Sequence, residues 1–175
     1  HVDFQDVVTF TGSASTGQVL RGLPHINERS VPFNLEADSL NASVLGLDVK
    51  PEDPEFALFV RELANEMTVK AGQKCTAIRR AMVPEHLLPI VQDAVIVRLQ
   101  KTAIGDPQAE GVRMGALATH DQIGRVEAEM NKLMAQQELV YNPSLELIGA
   151  TNAGAFYAPK LFVNTDPFNK TAVHE

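Results

Sequence analysis

The chain has 175 residues, of which 45% are apolar and 21% charged, and a formal charge of −7; this suffices for one domain with a core, or a domain and part of another. The acidic balance, the lack of tryptophan and the 6% aromatic content argue against a nucleic-acid partner, which needs a basic face and stacking platforms. No apolar run is long enough to span a bilayer, no leader peptide is visible, and one cysteine cannot form an internal disulfide, so a reducing, cytoplasmic setting without a membrane partner is expected.

In chain order, Val7 to Phe10 reads as a buried strand broken by Thr11-Gly12-Ser13. Ser13 is an N-cap candidate for a short helix to Arg21. Val31 to Leu35 reads as a second strand and Ala42 to Leu47 as a third. Pro54 to Ala71 has Phe56, Phe59, Val60, Leu63 and Met67 at helical spacing, with Pro54 in the first turn and Gly72 as a stop. Ile78 to Val83 predicts a strand, and Glu85 to Lys101 an amphipathic helix through Leu88, Val91, Val95 and Leu99. Gly105-Asp106-Pro107 turns the chain into an extended loop over 108–119. His120 to Gln137 predicts a last helix, with short strands at Leu139 to Tyr141 and Lys160 to Val163. Strands alternating with long helices give an α/β class with a mostly parallel sheet flanked by helices. The chain starts at His1 without methionine and ends without a polar tail, which reads as a piece of a larger protein, truncated at both ends.

The chemistry-bearing segment is Lys70-Ala71-Gly72-Gln73-Lys74-Cys75-Thr76-Ala77. Between Met67 and Pro84 stand four cations (Lys70, Lys74, Arg79, Arg80) and no acid, so the rest of the chain carries −11. Positive surroundings favour the nucleophilic thiolate, although a lone cysteine is also an ordinary small core residue. Thr11-Gly12-Ser13 marks a strand-to-helix turn whose N–H groups could take an anion, but a capped helix needs nothing more. The spacing of Gly12 and Gly17 resembles a phosphate loop, yet Gln18-Val19 stand where Lys and Ser/Thr are required. Glu36, directly after the second strand, is a base candidate if a poorly solvated cleft raises its pKa, and a surface glutamate otherwise. The five histidines (His1, His25, His86, His120, His174) are scattered and no metal-ligand spacing occurs, so no metal is expected. There is no Gly-x-Ser-x-Gly elbow for a serine hydrolase. The sequons at Asn41 and Asn169 read as coincidences in a reducing compartment.

Taken in order, Val8-Thr9-Phe10-Thr11-Gly12-Ser13, Asn34-Leu35-Glu36-Ala37-Asp38-Ser39 and Gly72-Gln73-Lys74-Cys75-Thr76 resemble the core of an aldehyde dehydrogenase, and Gly105-Asp106-Pro107 and Met114-Gly115-Ala116-Leu117 match the loops that follow. The usual Glu-Leu-Gly-Gly-Lys-x-Pro motif is replaced here by Glu36-Ala37-Asp38-Ser39-Leu40-Asn41-Ala42. Together with Lys70-Ala71-Gly72-Gln73-Lys74-Cys75-Thr76-Ala77-Ile78-Arg79-Arg80, that departure resembles the dehydrogenase part of the bifunctional ring-opening proteins of phenylacetate degradation, in which it is fused to a hydratase-like domain.

The resemblance implies an aldehyde-dehydrogenase-like catalytic domain: residues 1–36 as the tail of the cofactor-binding domain and 37–175 as an incomplete catalytic domain. It implies Cys75 as nucleophile, Glu36 as the base that activates water, and Thr11, Gly12 and Ser13 at the cofactor pyrophosphate. It further implies NADP or NAD as cofactor, an aldehyde substrate (a CoA-linked semialdehyde), a homo-oligomeric full-length protein, and low activity of this piece alone. Two alternatives stay open: a CoA-acylating dehydrogenase, against which Glu36 argues because only hydrolysis needs a base, and a non-catalytic oligomerisation or interaction module.

Overall fold

The computed structural model describes residues 2–169; the histidines His1 and His174, and Lys170 and Thr171 of the second sequon, lie outside them. The chain divides into two compact units, one ending at Ser39 and the other beginning at Leu40.

In the first unit, β1 (Val8–Gly12) pairs in parallel with β2 (Phe33–Ala37), running from Val8 opposite Phe33 to Gly12 opposite Ala37. The crossover holds α1 (Ala14–Arg21) and the five-residue α2 (Pro24–Glu28). A side chain at position 17 would place its Cβ 2.3 Å from Leu35 Cδ1. Gly17 is therefore explained by close helix-to-strand packing rather than by a phosphate loop. In β2, Phe33, Leu35 and Ala37 turn inward while Asn34 and Glu36 are exposed, the two-residue alternation of a strand with one buried face.

The second unit repeats the parallel strand-helix-strand plan. β3 (Asn41–Val44) pairs with β4 (Ile78–Met82), and α3 (Pro54–Thr68) lies between them in sequence. Pro54 opens α3, where its missing N–H costs nothing. The helix buries Phe56, Phe59, Val60, Leu63 and Ala64. α4 (Leu88–Leu99), entered through a tight turn at Glu85–Leu87, buries Val91, Val95 and Leu99. These side chains form one core with Leu45 and Leu87, each fully buried aliphatic contributing about 1.5–3 kcal/mol before entropy is counted. Beyond it, β5 (Ile104–Gly105) pairs in parallel with β7 (Leu147–Ile148), while β6 (Glu138–Tyr141) pairs antiparallel with β8 (Leu161–Val163). α5 (His120–Met134) half-buries Ile123, Val126, Met130 and Leu133, with Met134 exposed. The architecture is α/β, and among the described residues three of the four strand pairs are parallel. Among the described residues no helix is long and apolar enough to cross a membrane.

α3 ends earlier than its hydrophobic period predicts. Val69–Gly72 tightens into a single turn in which Lys70, Ala71 and Gly72 all have positive φ (53°, 54° and 73°). Left-handed backbone costs a non-glycine residue roughly 1–2 kcal/mol. The strained backbone ends three residues before Cys75, and such strain is common at functional sites.

Candidate active site

Cys75 is exposed. It is the second residue of a four-residue turn closed by the Ala77 N–H donating to the Lys74 carbonyl at 3.1 Å, and the turn leads straight into β4. Ala77, by contrast, is fully buried (0% exposed). The thiol thus stands on a short exposed arch whose downstream foot is set in the core. Among the described residues neither the Cys75 nor the Thr76 N–H donates to an acceptor, so two successive backbone donors beside the sulfur are available to a developing oxyanion.

Side chains from several elements hold the arch. Asn41 Nδ2 donates to the Cys75 carbonyl at 2.6 Å and to the Ala77 carbonyl at 3.1 Å. Arg79 Nη1 donates to the Gly72 carbonyl at 2.9 Å, and Nη2 reaches the Lys74 carbonyl at 3.5 Å. The N–H and the Nε2 of Gln73 both donate to the strained Lys70 carbonyl, at 3.1 and 2.9 Å. Gln73 Oε1 in turn accepts from the Ala118 N–H at 2.9 Å. The register shift between β3 and β4 at Asn41/Ala42 pairs Asn41 with Ile78 and Ala42 with Arg80, leaving Arg79 as the extra residue. A bulge of this kind re-aims side chains beside a site.

The basic window counted from the sequence is corrected here. Lys74 Nζ lies 2.7 Å from Glu66 Oε1, both side chains being mostly buried (25% and 17% exposed). Glu66 stands one position before the window, and α3 brings it back against the arch. The Arg79 guanidinium is occupied with backbone carbonyls. Arg80 Nη2 is buried without a hydrogen-bond partner. Two of the four cations are thus engaged, Lys74 in an ion pair and Arg79 as a donor to backbone carbonyls.

Glu36 requires a second correction. It lies within β2 rather than after it, and it is exposed rather than held in a poorly solvated cleft, because strand alternation sends its neighbours Leu35 and Ala37 inward. It stands opposite Thr11 in the β1–β2 register, and Gly12 stands opposite Ala37. The first unit therefore gathers Thr11, Gly12, Ser13 and Glu36 at one end of its strand pair, while Cys75 belongs to the second unit.

Ser13 caps α1 as its sequence predicts, its Oγ accepting from the Thr16 N–H at 3.3 Å. The Ser13 Oγ also lies 3.2 Å from Ser15 Oγ and donates to Thr16 Oγ1 at 2.9 Å. The Ser15 N–H donates to no acceptor among the described residues. Ser13, Ser15 and Thr16 are all exposed, and their hydroxyls with this N–H make the start of α1 the candidate place for a phosphate oxygen. One competitor is present: the Asp38 carboxylate accepts from the Ala14 N–H at 2.9 Å, held there by a left-handed backbone (φ 54°). Sequence reasoning did not single out Asp38 and Asn41, whose side chains hold the backbone beside the candidate residues. Their signal was the departure from the family motif in which both stand.

Away from the arch, burial raises the phenol pKa of Tyr141 and, together with the Glu127 charge, that of Tyr157, and burial lowers that of Lys160. The Lys160 ammonium sits 5.4 Å from the Tyr157 ring centre and donates to Asn142 Oδ1. A cavity of about 440 Å³ opens at the end of α5 between Met134 and Asp166 and is lined by none of the candidate residues. Among the described residues no group of three or more His, Cys, Asp and Glu could hold a metal ion.

The profile of the aldehyde dehydrogenase family matches residues 2–175. A 3,4-dehydroadipyl-CoA semialdehyde dehydrogenase of Aromatoleum evansii is 44% identical over 164 residues, 92% of this chain and 32% of that protein. An aldehyde dehydrogenase of Paracoccus denitrificans is 23% identical over 157 residues, covering 89% of the chain and 30% of its own length. The chain spans about a third of the length of these relatives. Among solved structures, betaine aldehyde dehydrogenase of Staphylococcus aureus in complex with NAD+ superposes with a TM-score of 0.80 at 23% identity, over 95% of this chain and 32% of that one.

Proposed function

The chain belongs to the aldehyde dehydrogenase family, and we propose that, within a longer protein, it oxidises the aldehyde of a CoA-linked semialdehyde from aromatic-acid breakdown to the free acid. The observation that carries this is an exposed thiol with two open backbone N–H donors, in a chain 44% identical to a CoA-semialdehyde dehydrogenase. Cys75 Sγ adds to the aldehyde carbon, and the carbonyl electrons move onto oxygen, where the N–H groups of Cys75 and Thr76 receive them. A nicotinamide cofactor, NADP in preference to NAD, supplies the hydride acceptor when bound, and Ser13, Ser15 and Thr16 would hold its phosphate. Loss of hydride leaves an acyl thioester on Cys75. Water then attacks the acyl carbon, Glu36, exposed near the end of β2 and given this role by likeness to the family, takes the water proton, and the C–S bond breaks to release the acid and the thiolate. The compartment is the cytoplasm. The full-length protein is a homo-oligomer fused to a hydratase-like domain.

The full-length protein carrying Cys75→Ser should lose reduction of the cofactor by about 10³-fold or more. Glu36→Gln should keep a first burst of about one reduced cofactor per site and then turn over slowly, since its role begins after the thioester forms. Retained turnover in Cys75→Ser would overturn the assignment. Release of acyl-CoA in place of free acid would favour the CoA-acylating reaction.

A further inference from the structure

We propose that Asn41 is a positioning residue that sets the direction of the Thr76 N–H beside the Cys75 thiol; the proposal rests on the thiol chemistry above. In the turn Lys74–Ala77 the closing hydrogen bond joins the outer residues and does not itself hold the central Cys75–Thr76 peptide. Asn41 supplies that hold. Its amide group has two hydrogens, and the structure gives them the Cys75 carbonyl at 2.6 Å and the Ala77 carbonyl at 3.1 Å. In a planar trans peptide the N–H points opposite to the C=O. With the Cys75 carbonyl drawn to Asn41, the Thr76 N–H faces away from it, and it is among the donors with no acceptor in the described structure.

Two further features make the arrangement specific. Rotating the central peptide to the alternative turn would require positive φ at Thr76, which Thr76 does not have and which a β-branched residue adopts only at high cost. Asn41 itself is fixed where the β3–β4 pairing shifts, opposite Ile78 and one residue before the bulge, and its second acceptor belongs to the fully buried Ala77. The donor thus reaches an exposed arch from a rigid base. Because both amide hydrogens are committed to carbonyls, the sequon Asn41-Ala42-Ser43 presents no available amide for a glycan in the folded protein.

The test uses the full-length protein with Asn41→Ala, which removes both donors without adding charge, and Asn41→Ser, which retains one hydroxyl donor. Three readouts are taken: kcat and KM for an aldehyde, the rate of Cys75 alkylation by iodoacetamide, and the folded fraction by circular dichroism. Alkylation develops no oxyanion, so it does not need the aimed N–H. Asn41→Ala should lower kcat by between about 10- and 10²-fold, the scale of a misaligned reacting group, while alkylation and KM stay within about threefold and Asn41→Ser falls between Asn41→Ala and the parent. Either kcat within about threefold of the parent in Asn41→Ala, or kcat and alkylation falling together in proportion to the folded fraction, would overturn the assignment. Failure of the thiol chemistry itself shows separately, as turnover in Cys75→Ser.

Discussion

The Cys75 arch and the start of α1 are both turns at the edge of a parallel strand pair, yet they are held in different ways. The start of α1 is closed largely from within: Ser13 caps Thr16 three residues on, and Asp38 reaches Ala14 from the end of the neighbouring strand. The arch is held from outside, by Asn41, by Glu66 through Lys74, and by Ala118 through Gln73, residues 8 to 45 positions from their partners. A locally closed turn costs little to build and tolerates loss of one bond. An externally braced turn can carry strained backbone at Lys70 and Ala71, because several partners share the task of holding it. Substitutions at the two sites should therefore differ in size, the arch being the more sensitive.

The largest effect is expected at Lys74. Lys74→Met leaves the Glu66 carboxylate in a mostly buried position without its cation, and Glu66 Oε2 already has no hydrogen-bond partner. Breaking a fully buried pair costs about 3–5 kcal/mol; with both side chains partly exposed, about 2–3 kcal/mol is expected. The denaturation midpoint measures it, and the double variant Lys74→Met/Glu66→Met should recover most of the loss. Equal midpoints for Lys74→Met and the parent would show that the arch is not braced through this pair.

Next in size is Ser13→Ala. The lost cap should cost about 1 kcal/mol, read by the same midpoint, with Cys75 alkylation unchanged. A loss as large as that of Lys74→Met would break the contrast between the two turns.

This contrast also explains what could be read from the sequence. The Ser13 cap, the parallel α/β class and the stripes of α3 and α4 follow from local spacing, and all are present. α2, β5 and β7 were missed because five or two residues carry no period. The charge count around Cys75 overstated the field, because a linear window omits Glu66, which α3 returns to Lys74. Glu36 was placed beyond its strand because the run Val31 to Leu35 ends on an apolar residue, whereas hydrogen bonding carries β2 on to Ala37. Asn41 looked like the residue before a strand. Only the pairing of β3 with β4 shows that its amide meets two carbonyls 34 and 36 residues away.

The smallest expected effect has opposite signs in stability and binding. Asp38→Asn keeps a side-chain oxygen for the Ala14 N–H and suits the left-handed backbone (φ 54°), which asparagine tolerates. It removes one negative charge from the N-terminus of α1, where an anion stabilises the helix by about 0.3–1 kcal/mol. The denaturation midpoint should therefore drop slightly, by less than for Ser13→Ala. The same charge repels any phosphate approaching the Ser15 N–H, so in the full-length protein the KM for the nicotinamide cofactor should fall by roughly two- to fivefold at low salt, and by less at high salt as screening grows. Asp38→Ala separates the two effects, because it removes both the charge and the hydrogen bond to Ala14. If the cofactor KM is unchanged in Asp38→Asn at low salt, the phosphate does not bind at the start of α1, and the roles given to Ser13, Ser15 and Thr16 fail while those of Cys75 and Asn41 stand.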